Sequence, residues 1–183
     1  MNNIRKDGFT MDYVVHYESP LGGITLSSDG EYLTGLWFDG QKYFGQTLHK
    51  EYLEREVPVL RETLRWLDEY FSRRDPGPAP AVRLQGTDFR MRVWGILQTI
   101  PFGKTMTYGD IAEVIAKEQN TGSVSAQAVG GAVGHNPVSI VVPCHRVIGS
   151  DGSLKGYAGG TDRKKQLLEI EGTITDVLPG SHL

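Results

Sequence analysis

The pattern of hydrophobic and polar positions near the start of the chain predicts three short strands. Residues Asp12–Tyr17, Gly23–Ser28 and Tyr32–Phe38 are rich in β-branched and aromatic side chains, which favour extended backbone. The segments Pro20-Leu21-Gly22 and Asp29-Gly30 separate them and have the composition of tight turns. The pattern therefore predicts a small antiparallel sheet built from hairpins.

A helical period follows these strands. Apolar side chains recur three or four positions apart at Leu60, Leu64, Leu67 and Phe71. This spacing places them on one face of a helix from about Val57 to Ser72.

Residues 73–80, with the sequence RRDPGPAP, interrupt this pattern. Prolines cannot continue a helix or a central strand because they lack the backbone N–H. We therefore expect an N-terminal domain over residues 1–80 with its linker at 73–80, a C-terminal domain over 81–172, and a tail at 173–183.

The second half of the chain reads as mainly helical. Thr87 caps a helix whose apolar stripe is Phe89, Val93, Trp94, Leu97 and Ile100. Thr107 lies three positions before Asp110, a variant of the capping box, at the head of the helix over 111–116.

A third helix is predicted from Ser123 to about Val133. Two short helices joined by a glycine-containing turn suggest a helix-turn-helix, although such pairs also occur in ordinary cores.

Two further elements complete the prediction. Val138–Val142 is apolar, and we expect it to be extended and buried. A last helix is expected from Thr161 to Glu171, with Gly172 as its cap. The fold class is therefore α+β.

Composition narrows the class of protein. With 183 residues and 39% hydrophobic positions the chain can bury a core, and its mean hydropathy of −0.31 indicates solubility. No apolar run is long enough to span a membrane, and residues 1–10 lack the apolar segment of a signal peptide. We expect a cytoplasmic protein that acts as a monomer.

The charge distribution is uneven. The net charge is −3, which by itself argues against a protein that coats nucleic acid. However, no Asp or Glu occurs between Gln119 and Ser150. A stretch without carboxylates suits a surface that meets phosphates, and a buried glycine-rich segment would have the same composition.

The single cysteine, Cys144, excludes an intramolecular disulfide and a two-cysteine zinc site. The five histidines show no ligand spacing, so we predict neither a metal nor another cofactor. A lone cysteine is either a buried apolar side chain or a nucleophile. The adjacent His145 favours the nucleophile, because a nearby imidazole promotes formation of the thiolate. Glu171, at the end of the last helix, could orient that imidazole; alternatively it is a solvated helix end.

The segment Pro143-Cys144-His145-Arg146-Val147 resembles the O6-alkylguanine-DNA alkyltransferases, also called methylated-DNA–protein-cysteine methyltransferases. The resemblance includes residues 127–132 (QAVGGA), Asn136-Pro137 and residues 156–160 (GYAGG), and it extends over 87–172. Residues 19–22 (SPLG) resemble the N-terminal domain of the family. The resemblance implies a ribonuclease H-like N-terminal domain and a winged helix-turn-helix-like C-terminal domain.

The resemblance also implies an activity. The protein would bind duplex DNA in the minor groove, rotate an O6-alkylguanine out of the stack and accept the alkyl group irreversibly, so that each molecule acts once. Cys144 would be the acceptor, His145 the base acting through a water molecule, and Glu171 its partner. Asn136 would support the turn before Cys144, and Tyr108 would assist proton transfer to the departing base. The resemblance leaves open whether O4-alkylthymine is also repaired.

Two sets of residues would contact the DNA. The proposed DNA-binding residues are Thr107, Ser125, Gln127, Ala128, Gly130 and Gly131. The proposed alkyl and guanine pocket consists of Pro143, Val147, Ile148, Tyr157, Ala158, Gly159 and Gly160. Small side chains at Ala126, Ala128, Gly130, Gly131 and Ala132 would leave the helix thin enough to enter a narrow groove.

The sequence departs from the family pattern at two positions. Gln127 stands where many members carry an arginine that fills the gap left by the extruded base, and Ala158 stands where some carry serine. Three other classes remain as alternatives. Alkyltransferase-like proteins bind the same lesions but have another residue in place of Cys144. A helix-turn-helix regulator would depend on base sequence, and a Cys-His hydrolase would need an oxyanion site and repeated turnover.

Overall fold

The computed structural model describes residues 11–174. Its first element is a sheet in which β1 (Asp12–Ser19), β2 (Gly22–Ser28) and β3 (Leu33–Phe38) are antiparallel neighbours. The three predicted strands are thus confirmed. A fourth strand, β4 (Tyr52–Glu54), adds a parallel edge beside β1 and gives the order β3-β2-β1-β4. Its three residues are all exposed, so it has no hydrophobic alternation by which the sequence could reveal it.

Helix α1 (Pro58–Phe71) packs one face against this sheet. Pro58 fits the first turn of a helix, where the missing N–H has no helical acceptor. The fully buried side chains of α1 include Leu60, Leu67 and Tyr70. The helix confirms the predicted one and carries Tyr70 towards the C-terminal half.

The C-terminal half contains the four remaining α-helices of the described residues. They are α2 (Asp88–Leu97), α3 (Tyr108–Gln119), α4 (Ala126–Gly134) and α5 (Thr161–Ile170). Strands β5 (Met106–Thr107) and β6 (Val147–Ile148) form a separate two-stranded parallel sheet.

Side-chain caps fix the beginnings of three of these helices. The Thr87 hydroxyl oxygen accepts a hydrogen bond from the Arg90 N–H, and Thr107 and Asp110 form a full capping box. The predicted start of the third helix at Ser123 is wrong, because Ser125 is the cap and accepts from two backbone N–H groups. Helices α3 and α4 are in contact, as a helix-turn-helix requires.

The prediction of an extended segment at Val138–Val142 is also wrong, although the segment is buried. Val138 makes one bridge to Leu36, and the chain then turns, with hydrogen bonds from Val142 N to Val138 O and from Val141 N to Ser139 O. Ile140 has φ +67°, a left-handed conformation that a β-branched residue rarely adopts. Apolar composition alone does not distinguish a buried turn from a buried strand.

The two halves share one hydrophobic core, and a loop of the N-terminal half reinforces their contact. The Lys42 N–H donates to the Ala158 carbonyl oxygen over 3.2 Å. The Tyr43 ring stacks on His135 with centroids 4.0 Å apart, and the Gln46 amide donates to the His135 carbonyl oxygen. Within residues 11–174, no helix is long and apolar enough to cross a membrane.

Candidate active site

The only cysteine of the chain begins a short 3-10 helix, Cys144–Arg146, immediately after Pro143. Cys144 is buried, with 3% of its surface exposed. Burial raises the pKa of the Cys144 thiol, while a hydrogen bond from Asn136 and the positive charge of Lys164 act in the opposite direction. The free protein therefore holds a thiol that needs a base before it can act as a nucleophile.

The side chain of Asn136 stabilises the turn that leads to Cys144. Its amide nitrogen donates to the carbonyl oxygens of Val142, at 2.7 Å, and Val138, at 3.4 Å. Its amide oxygen accepts from the Val138 N–H at 3.0 Å. A buried asparagine that spans the turn in this way fixes the direction from which the chain reaches Cys144.

His145 and Glu171 form a fully buried pair. The Nε2 atom of His145 lies 2.6 Å from Glu171 Oε1, and neither side chain has any exposed surface. Because the carboxylate accepts hydrogen bonds, Nε2 carries the proton of the neutral imidazole. The other ring nitrogen, Nδ1, has no hydrogen-bond partner among residues 11–174. His145, the residue that follows the cysteine, therefore keeps one basic nitrogen uncommitted.

Glu171 is held by five hydrogen bonds rather than by His145 alone. Oε1 accepts from His145, from the Tyr70 hydroxyl at 2.8 Å and from Arg146 at 3.0 Å. Oε2 accepts from Arg146 Nε at 2.8 Å and from the Gly103 N–H at 3.1 Å. Burial raises the pKa of Glu171, but the hydrogen bonds and charges of His145 and Arg146 outweigh it and bring this pKa to about 2. The carboxylate is therefore ionised at neutral pH.

Arg146 and Tyr70 are members of this network that the sequence reasoning did not assign. Arg146 follows His145 in the quoted motif, and its NH1 group also donates to the Ile100 carbonyl oxygen at 2.6 Å. Tyr70 lies 101 positions before Glu171, so no local pattern could have connected them.

Lys164 is a third unassigned member of the site. It is fully buried and donates from Nζ to the carbonyl oxygen of Val147 and, at 3.4 Å, to the Tyr108 hydroxyl. Burial lowers the pKa of Lys164 to about 8, against the opposing effect of Cys144. Lys164, Leu167, Leu168 and Glu171 share one helical face. Charged residues on an otherwise apolar helical face are unusual, so this pattern in the sequence could have identified Lys164 as a site residue.

Tyr108, at the first position of α3, lies between the site and helix α4. Its hydroxyl donates to the Lys155 carbonyl oxygen at 2.9 Å. Burial, followed by the effect of Cys144, raises the pKa of Tyr108 to about 12. A side chain at Gly130 of α4 would lie 3.8 Å from the Tyr108 ring. The structure thus brings Tyr108 into the neighbourhood of Cys144.

The predicted pocket residues lie on two segments, 143–148 and 157–160. Pro143 and Val147 are buried, and Ile148 pairs with Thr107 between β6 and β5. Tyr157 and Gly159 are buried, Ala158 is half-buried, and Gly160 precedes α5 with φ +92°. The positive φ explains why glycine occupies position 160.

Helix α4 exposes most, but not all, of the small residues predicted to meet DNA. The exposed positions are Ser125, Ala126, Gln127, Ala128 and Gly131. Ala132 instead faces the core, where its carbonyl oxygen accepts from Trp94 Nε1 at 2.8 Å. The hydroxyl oxygens of Ser125 and Thr107 accept hydrogen bonds from helix N–H groups, so these side chains already have a capping role.

Comparison with known families gives two matches that together cover most of the chain. Residues 13–76 match the ribonuclease-like domain of 6-O-methylguanine DNA methyltransferase. Residues 88–173 match the DNA-binding domain of the same protein.

Individual relatives agree with these matches. A methylated-DNA–protein-cysteine methyltransferase of Mycobacterium tuberculosis is 41% identical over 161 residues, covering 86% of this chain and 93% of the relative. One from Methanosarcina acetivorans is 40% identical over 162 residues, covering 88% and 99%. Among solved structures, Mycobacterium tuberculosis OGT in complex with DNA aligns with a TM-score of 0.72 and 39% identity, covering 88% of this chain and 92% of that one.

Proposed function

This chain belongs to the 6-O-methylguanine DNA methyltransferase family, and from that premise we propose that it repairs O6-alkylguanine in DNA by transferring the alkyl group to Cys144. The observation that carries the proposal is that Cys144, His145 and Glu171 are all buried in one site. The acceptor thiol, an uncommitted imidazole nitrogen and an ionised carboxylate occur there together. These groups supply a nucleophile, a base and a group that orients the base.

Burial of the thiol requires the substrate to come to it. With 3% of its surface exposed, Cys144 cannot reach the O6 atom of a guanine that stays stacked in a duplex. The lesion must therefore be rotated out of the helix and into the pocket. The cost of unstacking is offset by contacts made to the extruded base and to the gap it leaves.

The reaction is a displacement at the alkyl carbon. The Cys144 proton passes through a water molecule to His145 Nδ1, and Glu171 stabilises the resulting imidazolium through Nε2–H. The sulfur forms a bond to the alkyl carbon as the bond from that carbon to O6 breaks, leaving the guanine anion. Tyr108 assists return of a proton to the guanine. The proton that guanine receives is the one taken up by His145, so the step ends with S-alkylcysteine, neutral guanine and a neutral imidazole.

This chemistry ends with an alkylated protein. The alkyl C–S bond of the resulting thioether is stable in water at neutral pH, and none of the roles assigned to the residues of this site activates it for cleavage. Each protein molecule therefore acts once. The resulting stoichiometry distinguishes the proposal from a Cys-His hydrolase.

Helix α4 is the proposed DNA-binding element. Its exposed face carries small residues around Gln127, which allows the helix to approach the minor groove closely. Gln127 is proposed to fill the gap left by the extruded base. We further propose that residues 1–80 and 81–172 act as two domains joined at 73–80, and that the protein works as a cytoplasmic monomer.

Intact-protein mass measured after mixing with duplex DNA that contains O6-methylguanine tests the proposal. The mass should rise by one methyl group in place of one hydrogen, on the peptide that contains Cys144. Cys144→Ser should show no increase, and unmodified duplex DNA should leave the wild-type mass unchanged. Repeated turnover, or transfer that survives in Cys144→Ser, would contradict the proposal.

A further inference from the structure

The buried hydroxyl of Tyr70 joins the N-terminal half of the molecule to the reacting groups. Tyr70 lies on α1 and is fully buried, and its oxygen is 2.8 Å from Glu171 Oε1 and 3.3 Å from His145 Nε2. Nothing in the proposed mechanism uses this hydroxyl. Its position nevertheless brings it within hydrogen-bond distance of both members of the His145–Glu171 pair.

The direction of these hydrogen bonds follows from the number of protons. Glu171 is ionised and only accepts, so the single hydroxyl proton of Tyr70 points to Oε1. Burial and the neighbouring Glu171 raise the pKa of Tyr70 well above its usual value, so the hydroxyl remains a donor. Tyr70, His145 and Arg146 therefore all donate to the same oxygen atom.

Sharing one acceptor has a consequence for His145. Negative charge on Oε1 stabilises the imidazolium form, and each additional donor to Oε1 reduces the charge available to His145. Without the Tyr70 hydroxyl, Glu171 would favour protonated His145 more strongly. A protonated Nδ1 cannot accept the proton of Cys144.

We propose that Tyr70 is a positioning residue for alkyl transfer, acting through Glu171 so that His145 keeps an unprotonated Nδ1 at neutral pH. The proposal rests on the function proposed above. It gives α1 a part in the chemistry although the nucleophile, the base and the carboxylate all lie in the C-terminal half.

Other charged and titratable groups affect the protonation of His145 and Tyr70, and the test must leave these groups unchanged. Around His145 these are Glu171, Arg146 and Lys164, and around Tyr70 they are Glu171, Arg146 and Tyr157. The Cys144 thiol is adjacent in sequence. Replacing Tyr70 by phenylalanine leaves all of them in place.

Tyr70→Phe also preserves the aromatic packing around position 70. The ring stacks on Trp66 with centroids 5.6 Å apart, and its edge contacts involve Phe71 at 5.3 Å and Phe102 at 6.0 Å. Tyr17→Phe is a matched control, because Tyr17 also donates to a carboxylate, Asp68, at 2.9 Å, but on the surface of the N-terminal half.

The experiment measures single-turnover methyl transfer from O6-methylguanine duplex DNA between about pH 5 and pH 9, a range that spans the titration of a histidine base. Tyr70→Phe should move the acidic limb of the rate profile to higher pH by about half a unit, the effect of one hydrogen bond on such a pair. Tyr17→Phe should leave the limb where it is. In a Glu171→Gln background, Tyr70→Phe should cause no further shift, because there is no carboxylate charge left to share.

A stronger donor of similar size gives the opposite test. With 3-fluorotyrosine at position 70, the acidic limb should move to lower pH, and this arm remains decisive if Tyr70→Phe does not fold. A slower plateau with an unmoved limb would show a packing role and overturn the proposal, as would an equal shift in Tyr17→Phe. A wild-type chain that transfers no methyl group would instead overturn the proposed function on which this inference rests.

Discussion

Lys164 Nζ donates a hydrogen bond to the Tyr108 hydroxyl over 3.4 Å, linking α5 to the start of α3. Both side chains interact electrostatically with Cys144. Tyr108, which is proposed to assist proton return to the guanine, is therefore connected directly to the buried cation of α5. Helix α5 carries both Lys164 and, just after its end, Glu171.

The first prediction concerns Lys164. Its positive charge lowers the pKa of the Cys144 thiol, so Lys164→Met should slow methyl transfer about tenfold at neutral pH, corresponding to about one pKa unit in the thiol. Because the pKa of Lys164 is about 8, the charge is present below that pH and lost above it. The ratio of wild-type to variant rate should therefore fall as the pH rises through about 8.

Lys165→Met is the control for this prediction, since Lys165 is exposed on the same helix and pairs with Glu169. Unfolding of both variants in denaturant separates a loss of charge from a loss of fold. If the ratio of the wild-type rate to the Lys164→Met rate stays constant across the pH range, Lys164 has no electrostatic role in transfer.

The second prediction separates reaction from DNA binding. Glu171→Gln removes the charge that stabilises protonated His145, so single-turnover transfer should slow by about a hundredfold, within the range typical of acid–base catalysis. Duplex affinity, measured by fluorescence anisotropy, should remain nearly unchanged, because the Glu171 side chain is fully buried and all its hydrogen-bond partners lie outside α4. An equal loss of rate and affinity would assign Glu171 to the fold instead.

The third prediction is the acid dependence of stability. The pKa of Glu171 is about 2 in the folded protein and about 4.3 in an unfolded chain, so the unfolded state binds the proton first as pH falls. The stabilisation is therefore complete above about pH 4.3 and is lost towards pH 2, and it amounts to roughly 3 kcal/mol. Denaturant unfolding at a series of pH values should show this loss in the wild type and not in Glu171→Gln. Glu169→Gln should retain the wild-type dependence; if Glu171→Gln retains it too, the ion pair does not contribute as described.

The fourth prediction concerns Gln127. Gln127→Ala should slow transfer from duplex DNA, where the gap must be filled, and leave the reaction with free O6-alkylguanine base almost unchanged. Gln127→Arg should strengthen duplex binding and, if the new charge contacts a phosphate, steepen the salt dependence by about one unit. Gln85→Ala, at an exposed glutamine outside α4, is the control. Equal slowing with both substrates would show that Gln127 supports the fold or the thiol.

Local signals in the sequence account for much of this fold. The period of α1 and the cap at Thr107 correctly located their helices, because both depend on neighbouring residues. Val138–Val142 was wrongly predicted to be extended, since its turn depends on the side chain of Asn136 and on the left-handed conformation of Ile140. Both features are local, but apolar composition encodes neither of them.

Some residues of the site could likewise be predicted from local sequence, and others could not. Cys144 and His145 are adjacent in one short motif, and Glu171 was predicted from its position at the end of α5. Lys164 could have been found from its place on the buried face of α5. Tyr70 could not, because its contact with Glu171 joins segments 101 positions apart, and no helical or strand period connects positions at that distance.

Because the only thiol is buried and is consumed by the reaction, the number of repaired lesions can be counted on the protein itself. Because the chain has a single cysteine, a maleimide dye added after denaturation can label only Cys144, and only where no alkyl group occupies its sulfur. Unlabelled chains in a purified sample would then equal the lesions repaired, provided that oxidation has been excluded. The same reagent added before denaturation should react slowly, since 3% of the residue is exposed. The difference between the two labelling rates would thus report opening of the pocket, independently of any DNA substrate.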